Sequence, residues 1–199
     1  SILAANIGFF IFRSVNGYES VVYQFPPFSE ITLLHIFIGV LFGLLGGAVG
    51  TIFILLFGFM DGMFHAMAKH KILLATFGGL LIGLIAQLCP ITLFWSEFQI
   101  KTLLNHGDAQ HALVTAHGLY TAVLMLLGIA LLKMIGIGVT LHSGFRGGFI
   151  FPLFFIGAVV GIAICLVFPT LPAGIVILCM MAAVNVGVIL PLSGPNAQF

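Results

Sequence analysis

The sequence predicts an all-α polytopic membrane protein, and three observations carry that prediction. Only 6% of the 199 residues are charged and 61% are hydrophobic. A water-soluble domain carries about 25% charged residues because its surface must stay wet. Eleven formal charges, six basic and five acidic, cannot cover a globule of this size in water. Several uncharged runs also reach or approach the ~20 apolar residues that a helix needs to cross a bilayer. The solvent these patterns fit is lipid.

The runs divide the chain in order. The first, residues 2–12, is short for a span and ends at Arg13, so it reads as the tail of a truncated helix. A polar connector with Pro26 and Pro27 leads to Glu30. Residues 31–68 are then almost free of charge, Asp61 excepted; as helix they would measure about 57 Å, well beyond a ~30 Å hydrocarbon core. A break at Gly46-Gly47 leaves a first half too short to span, so one long tilted helix emerging near Asp61 or His65 is the better reading. Lys69-His70-Lys71 is the tightest basic cluster and marks a cytoplasmic turn. Residues 72–95 return across the membrane. Residues 96–111, with Glu97, Lys101, His106, Asp108 and His111, are the most polar and belong outside. Residues 112–135 cross back, Lys133 near the inner end. Residues 149–168 and 173–192 are two further spans, divided by Pro169 and Pro172.

Gly39, Gly43 and Gly47 stand four apart on the long helix, a spacing that lets helix backbones approach closely in lipid. The three cysteines, Cys89, Cys165 and Cys179, lie in apolar runs without C-x-x-C spacing and read as free thiols. No basic patch points to nucleic acid, no signal peptide is visible, and no H-E-x-x-H, Walker or G-x-S-x-G motif points to an enzyme. No cofactor is expected. His106 and His111 are five apart, unlike a helical metal pair, and interfacial histidines are the default; His142, beside the motif below, is the one worth testing.

The informative stretch is Ser143-Gly144-Phe145-Arg146-Gly147-Gly148-Phe149-Ile150-Phe151-Pro152. Paired glycines precede an apolar helix, and proline occupies its first turn, where a missing N–H costs nothing. The N–H groups of Gly148, Phe149, Ile150 and Phe151 then point out of the helix end. Within a membrane they need an acceptor that lipid does not supply. A dehydrated anion fits, aided by the helix dipole. The glycines remove bulk, so the backbone itself can approach the ion.

This run, continuing through Leu153-Phe154-Phe155-Ile156-Gly157, resembles the G-x-F-x-P region of the CLC chloride channel and transporter family. The order of elements around it is similar to that family's as well. The resemblance implies an inverted-repeat fold with broken, re-entrant helices aimed at a mid-membrane anion site. Residues 1–199 match its second half, so the chain is expected to be truncated at both ends. The family's serine loop and gating glutamate motif belong upstream of these residues, and its pore tyrosine downstream. The resemblance implies that the Phe149 and Ile150 amides bind chloride, with Gly147, Gly148 and Phe151 completing the site. Ile150 stands where the motif has phenylalanine, a change that keeps the amide and alters the pore's shape. Implied too are a homodimer, a lipid bilayer as its surroundings, and chloride or a related monovalent anion as substrate in a plasma or bacterial inner membrane. A fluoride-type exchanger is the alternative within the family, and a non-conducting membrane structural or assembly subunit is the alternative outside it. Arg146 and Lys133 read as interfacial anchors, Asp61 as a solvated helix end. Cysteines placed at Lys71 and at Asp108 are expected to label from opposite sides of the membrane in the complete protein; labelling of both from one side refutes this topology.

Overall fold

A computed structural model describes residues 2–16, 32–65, 67, 69–93, 96–105, 113–145 and 147–192. All regular structure among them is helical. In chain order the helices are α1 (Ile2–Asn16), α2 (Leu33–His65), α3 (Lys71–Leu88), α4 (Glu97–Asn105), α5 (Leu119–His142), α6 (Ile150–Val167) and α7 (Ala173–Leu192), with a 3-10 turn at Pro90–Thr92 between α3 and α4. A short helical piece at 113–117 leads into α5. Five of the helices, α2, α3, α5, α6 and α7, are long and apolar enough to cross a membrane.

Helix α2 is continuous over 33 residues, about 50 Å, and carries Asp61 in its last turns as expected. The Lys69 to Lys71 turn joins it to α3, exposed throughout. Helix α3 stops at Leu88, seven residues short of the expected Trp95. Pro90 opens the 3-10 turn that follows, because a proline ring clashes with a continuing helix. The next span also departs from expectation. It runs from Leu119 to His142, so the apolar run that seemed to end near Ile135 continues seven residues further. Lys133 is therefore nine residues, about 14 Å, from the helix end. Helix α1 runs on past Arg13 to Asn16. His106, Asp108, His111, Pro26, Pro27, Glu30 and Arg146 lie outside the described residues.

Helix α6 is the centre of the bundle. Eleven of its eighteen residues are buried, and it packs against α4, α5 and α7. The polar segment expected outside contributes to this core: Ile100 and Leu104 of α4 are buried in the same cluster as Leu153 and Ile156. Helices α2 and α3 instead leave long apolar faces exposed, including Leu44, Leu55, Phe59, Leu73 and Leu80, which suits contact with lipid.

Glycine brings α7 close to both neighbours. A Cβ on Gly46 would lie 2.6 Å from the Ala183 Cβ, and one on Gly50 would lie 3.1 Å from the Val184 carbonyl oxygen. On the other side, a Cβ on Gly157 would come within 2.6 Å of the Met181 Cα, and one on Gly161 within 3.0 Å of the Ile177 Cα. The glycines of α2 that meet α7 are thus Gly39, Gly46, Gly47 and Gly50; of the expected Gly39, Gly43 and Gly47, Gly43 departs. Nothing lies within 4 Å of a Cβ at Gly43. Nothing lies within 4 Å of a Cβ on Gly47, yet its backbone meets α7: a Cβ on Gly187 would lie 3.2 Å from the Gly47 Cα. Gly46→Val is expected to cost roughly 1–3 kcal/mol by overpacking, seen as a lower melting temperature in detergent. Gly43→Leu should melt like wild type; equal losses from both would refute this register.

Candidate functional site

The first turn of α6 forms where the sequence placed it. Phe149 is the N-cap residue, with no side chain capping the helix, and Leu153 N–H already donates to the Phe149 carbonyl at 3.0 Å. Pro152 has no N–H to offer, so the donors without an i−4 partner inside the helix are those at its extreme end, on Ile150 and Phe151. The approach to this end is a tight turn: Gly144 has φ +83°, a left-handed conformation that glycine adopts at no steric cost.

A cavity of about 680 Å³ opens beside this helix end. Gly147, Gly148 and Pro152 line it from the α6 side, Lys133 and Thr140 from α5, and Thr92 from the 3-10 turn. Nothing lies within 4 Å of a Cβ built on Gly147 or Gly148. Their missing side chains are not demanded by packing or by a positive φ, and both residues line the cavity. Phe149, Ile150 and Phe151 are not among the lining residues. The Ile150 and Phe151 side chains are about half exposed, and the Phe151 ring meets Phe154 edge-on, 6.4 Å between centroids. Gly147 and Gly148 are thus brought to the cavity, and Phe149, Ile150 and Phe151 are not.

Lys133 overturns its reading as an interfacial anchor. Its side chain is buried, 3% exposed. The ammonium donates to the Thr92 carbonyl and to Ser96 Oγ, both at 2.7 Å. It also sits 5.7 Å from the centroid of the Phe155 ring. A cation at this depth is expensive in lipid unless its N–H groups are satisfied, and the polar loop between α3 and α4 satisfies them. Ser96 is itself fully buried, with φ +63°, and its carbonyl accepts from Ile100 N–H at 3.1 Å. One side chain therefore ties α5, the 3-10 turn and α6 around the cavity. The sequence signal was available in the length of the uncharged run beyond Lys133, nine residues that place the charge well inside the span.

His142 and Asp61 also meet. His142 Nε2 is 3.6 Å from Asp61 Oδ1, and the imidazole packs 4.2 Å from the Phe57 ring between centroids. The Asp61 side chain is 69% exposed and faces a histidine whose side chain is only 8% exposed. Ser143 follows, its buried Oγ seated against Gly78. The cysteines are free and partly buried.

Comparison with known proteins decides the family. The family model described as voltage gated chloride channel matches residues 1–194. The chain belongs to that family. It is therefore an integral, multi-pass membrane protein of a channel family, with lipid around its apolar faces. Among its relatives are proteins named "Putative ion-transport protein YfeO" from Escherichia coli O1:K1 / APEC, from strain K12 / DH10B and from O157:H7 strain EC4115 / EHEC. Each is 27% identical over 158 residues, which cover 79% of this chain and 35% of the relative. The chain spans about a third of the length of these relatives. No solved structure matches it. Within this voltage gated chloride channel family member, Lys133→Ala takes the donor from the buried Thr92 carbonyl, while Ser96 Oγ still donates to the Ile91 and Leu93 carbonyls; the loss is expected to cost about 1–3 kcal/mol. Thermal melting in detergent should fall accordingly; an unchanged melting temperature would show that the Lys133 tie contributes nothing.

Proposed function

We propose that this chain is the second half of a membrane domain that transports chloride or a related monovalent anion. The ion is held by backbone amides at the start of α6. The observation that carries this reading is the pair Gly147 and Gly148, which line a cavity at a helix N-terminus with open space where side chains would stand. A helix end presents a partial positive charge and convergent N–H groups. In a low-dielectric span these donors interact strongly with an anion and need no proton transfer or bond-making to hold it. The reading thus involves no covalent step and no cofactor beyond the transported ion. Family membership and the relatives' ion-transport name support it at the general level. In the same reading the complete protein is a homodimer, as the family resemblance implies.

Because the donors belong to the main chain, side-chain changes at Ile150 should alter selectivity more than binding, and changes at the glycines the reverse. Gly148→Val fills the cavity side of the helix end while meeting no neighbour, so the variant should fold and lose anion flux by at least tenfold in liposomes. Ile150→Phe should keep flux and shift the chloride-to-fluoride preference. Wild-type transport by correctly folded Gly148→Val refutes the proposal that these amides line the path.

A further inference from the structure

We propose that Lys133 is the specificity-determining residue of the cavity: its ammonium supplies the fixed positive charge that draws an anion to the space beside the α6 end. The inference deepens the anion reading and rests on it. Five residues of α5 line the cavity: Lys133, Gly136, Ile137, Thr140 and Leu141. Steps of three, four, seven and eight residues from Lys133 describe one face of a helix. The lysine therefore stands in the row that α5 turns toward the cavity. Among the described residues that line it, Lys133 alone carries an ionisable side chain. The remaining wall is apolar or neutral, and Gly147 and Gly148 complete it on the α6 side.

The bonds to Thr92 and Ser96 hold the lysine without cancelling its charge. Nζ donates to the Thr92 carbonyl and to Ser96 Oγ, both at 2.7 Å, and both acceptors are neutral. The Phe155 ring, with its centroid 5.7 Å from Nζ, attracts the cation through its π face and is neutral too. Tying α5 to the loop after α3 does not itself call for a charge, because a neutral carboxamide also donates to a carbonyl and a hydroxyl. A cation within a span is the costly choice, and here it is set in a cavity wall. Phe155 gives its level: five residues beyond Ile150, about 7.5 Å along the helix axis, so the charge sits beside the first third of α6. Across about 10 Å, at an effective dielectric constant of about 20, one unit charge changes an anion's affinity by roughly tenfold. A cation entering the same cavity meets that field with the opposite sign.

The test uses the complete protein, reconstituted in liposomes, and reads chloride flux against chloride concentration beside melting in detergent. Lys133→Gln keeps hydrogen-bond donors at the position and removes the charge. It should raise the half-saturating chloride concentration about tenfold and leave the maximal rate close to that of wild type. Lys133→Arg keeps the charge, since a guanidinium does not lose its proton, and offers a planar head in place of the ammonium. Its half-saturating concentration should stay close to wild type even where its melting temperature falls. Affinity that follows charge while melting follows fit is a pattern a merely structural lysine does not produce. Thr140→Glu is a second probe. Thr140 lies two turns along the same face, and its hydroxyl donates to the Gly136 carbonyl of its own helix at 2.7 Å, so the change leaves the Lys133 bonds in place. An opposing charge there should raise the half-saturating concentration about threefold or more.

A wild-type chloride dependence in folded Lys133→Gln overturns the proposal, and so does an equal loss of affinity in Lys133→Gln and Lys133→Arg. If Lys133→Gln does not fold, an unchanged half-saturating concentration in Thr140→Glu overturns it instead. Loss of flux in Gly148→Val beside wild-type affinity in Lys133→Gln removes the role of Lys133 and keeps the anion reading. The affinity shift in Lys133→Gln beside wild-type flux in Gly148→Val sustains Lys133 and removes the helix-end amides. No chloride flux by wild type removes both.

Discussion

The backbone contact of α7 with α2 on one side and α6 on the other is the constraint on which the arrangement depends. Lipid tails are as apolar as leucine, so helices in a bilayer gain little from hiding apolar side chains against each other. What holds them is close packing and the dispersion that comes with it. Gly46 and Gly50 let α7 approach α2 until main-chain atoms touch, and Gly157 and Gly161 do the same between α7 and α6. Helix α6 is thereby fixed along its length by a rigid neighbour. Its N-terminal turn inherits that rigidity, and so does the spacing between Pro152, Gly148 and the facing wall of α5.

Polar side chains finish what the glycines begin. Lys133 and His142 stand on the same helix, nine residues apart, and each crosses to a different partner. Lys133 reaches the loop after α3, and His142 reaches the end of α2. Both link α5 to elements that touch lipid over much of their surface. Shielded from competing water, the buried Lys133 link holds an element whose apolar packing is thin. The cavity lies between these two attachments, bounded by α3, the 3-10 turn and α5, with the α6 end closing one side.

Much of this was legible in the sequence, and the rest was hidden for definable reasons. Hydropathy located α2, α6 and α7 to within a few residues, because length and lack of charge are properties of a single segment. The glycine-glycine-proline sequence marked the helix start at 147–152 through local backbone chemistry alone. The end of α5 was misread since Lys133 looked like a boundary; a buried, hydrogen-bonded lysine and an interfacial one look the same until the partner is known. Gly43 was misread for a related reason, while Gly39 and Gly47 do meet α7. Helix α2 has glycines on several faces, and four-residue spacing does not say which face meets α7. The partners of Lys133 and His142 are tertiary facts: Thr92 is 41 residues away from Lys133 and shares no motif with it. That Gly147 and Gly148 front an open cavity likewise depends on α3 and α5, which no local reading could place.

The half-exposed side chains of Ile150 and Phe151 have a consequence for how this helix end can change over time. Each residue faces two ways, with its amide at the helix terminus and its side chain directed elsewhere. Mutation acts on side chains, and every residue except proline supplies the same N–H. Drift at these positions can therefore retune the neighbourhood, its bulk and its polarity, without erasing the donors themselves. Substitutions of this kind change what surrounds the helix end while leaving its main-chain donors in place.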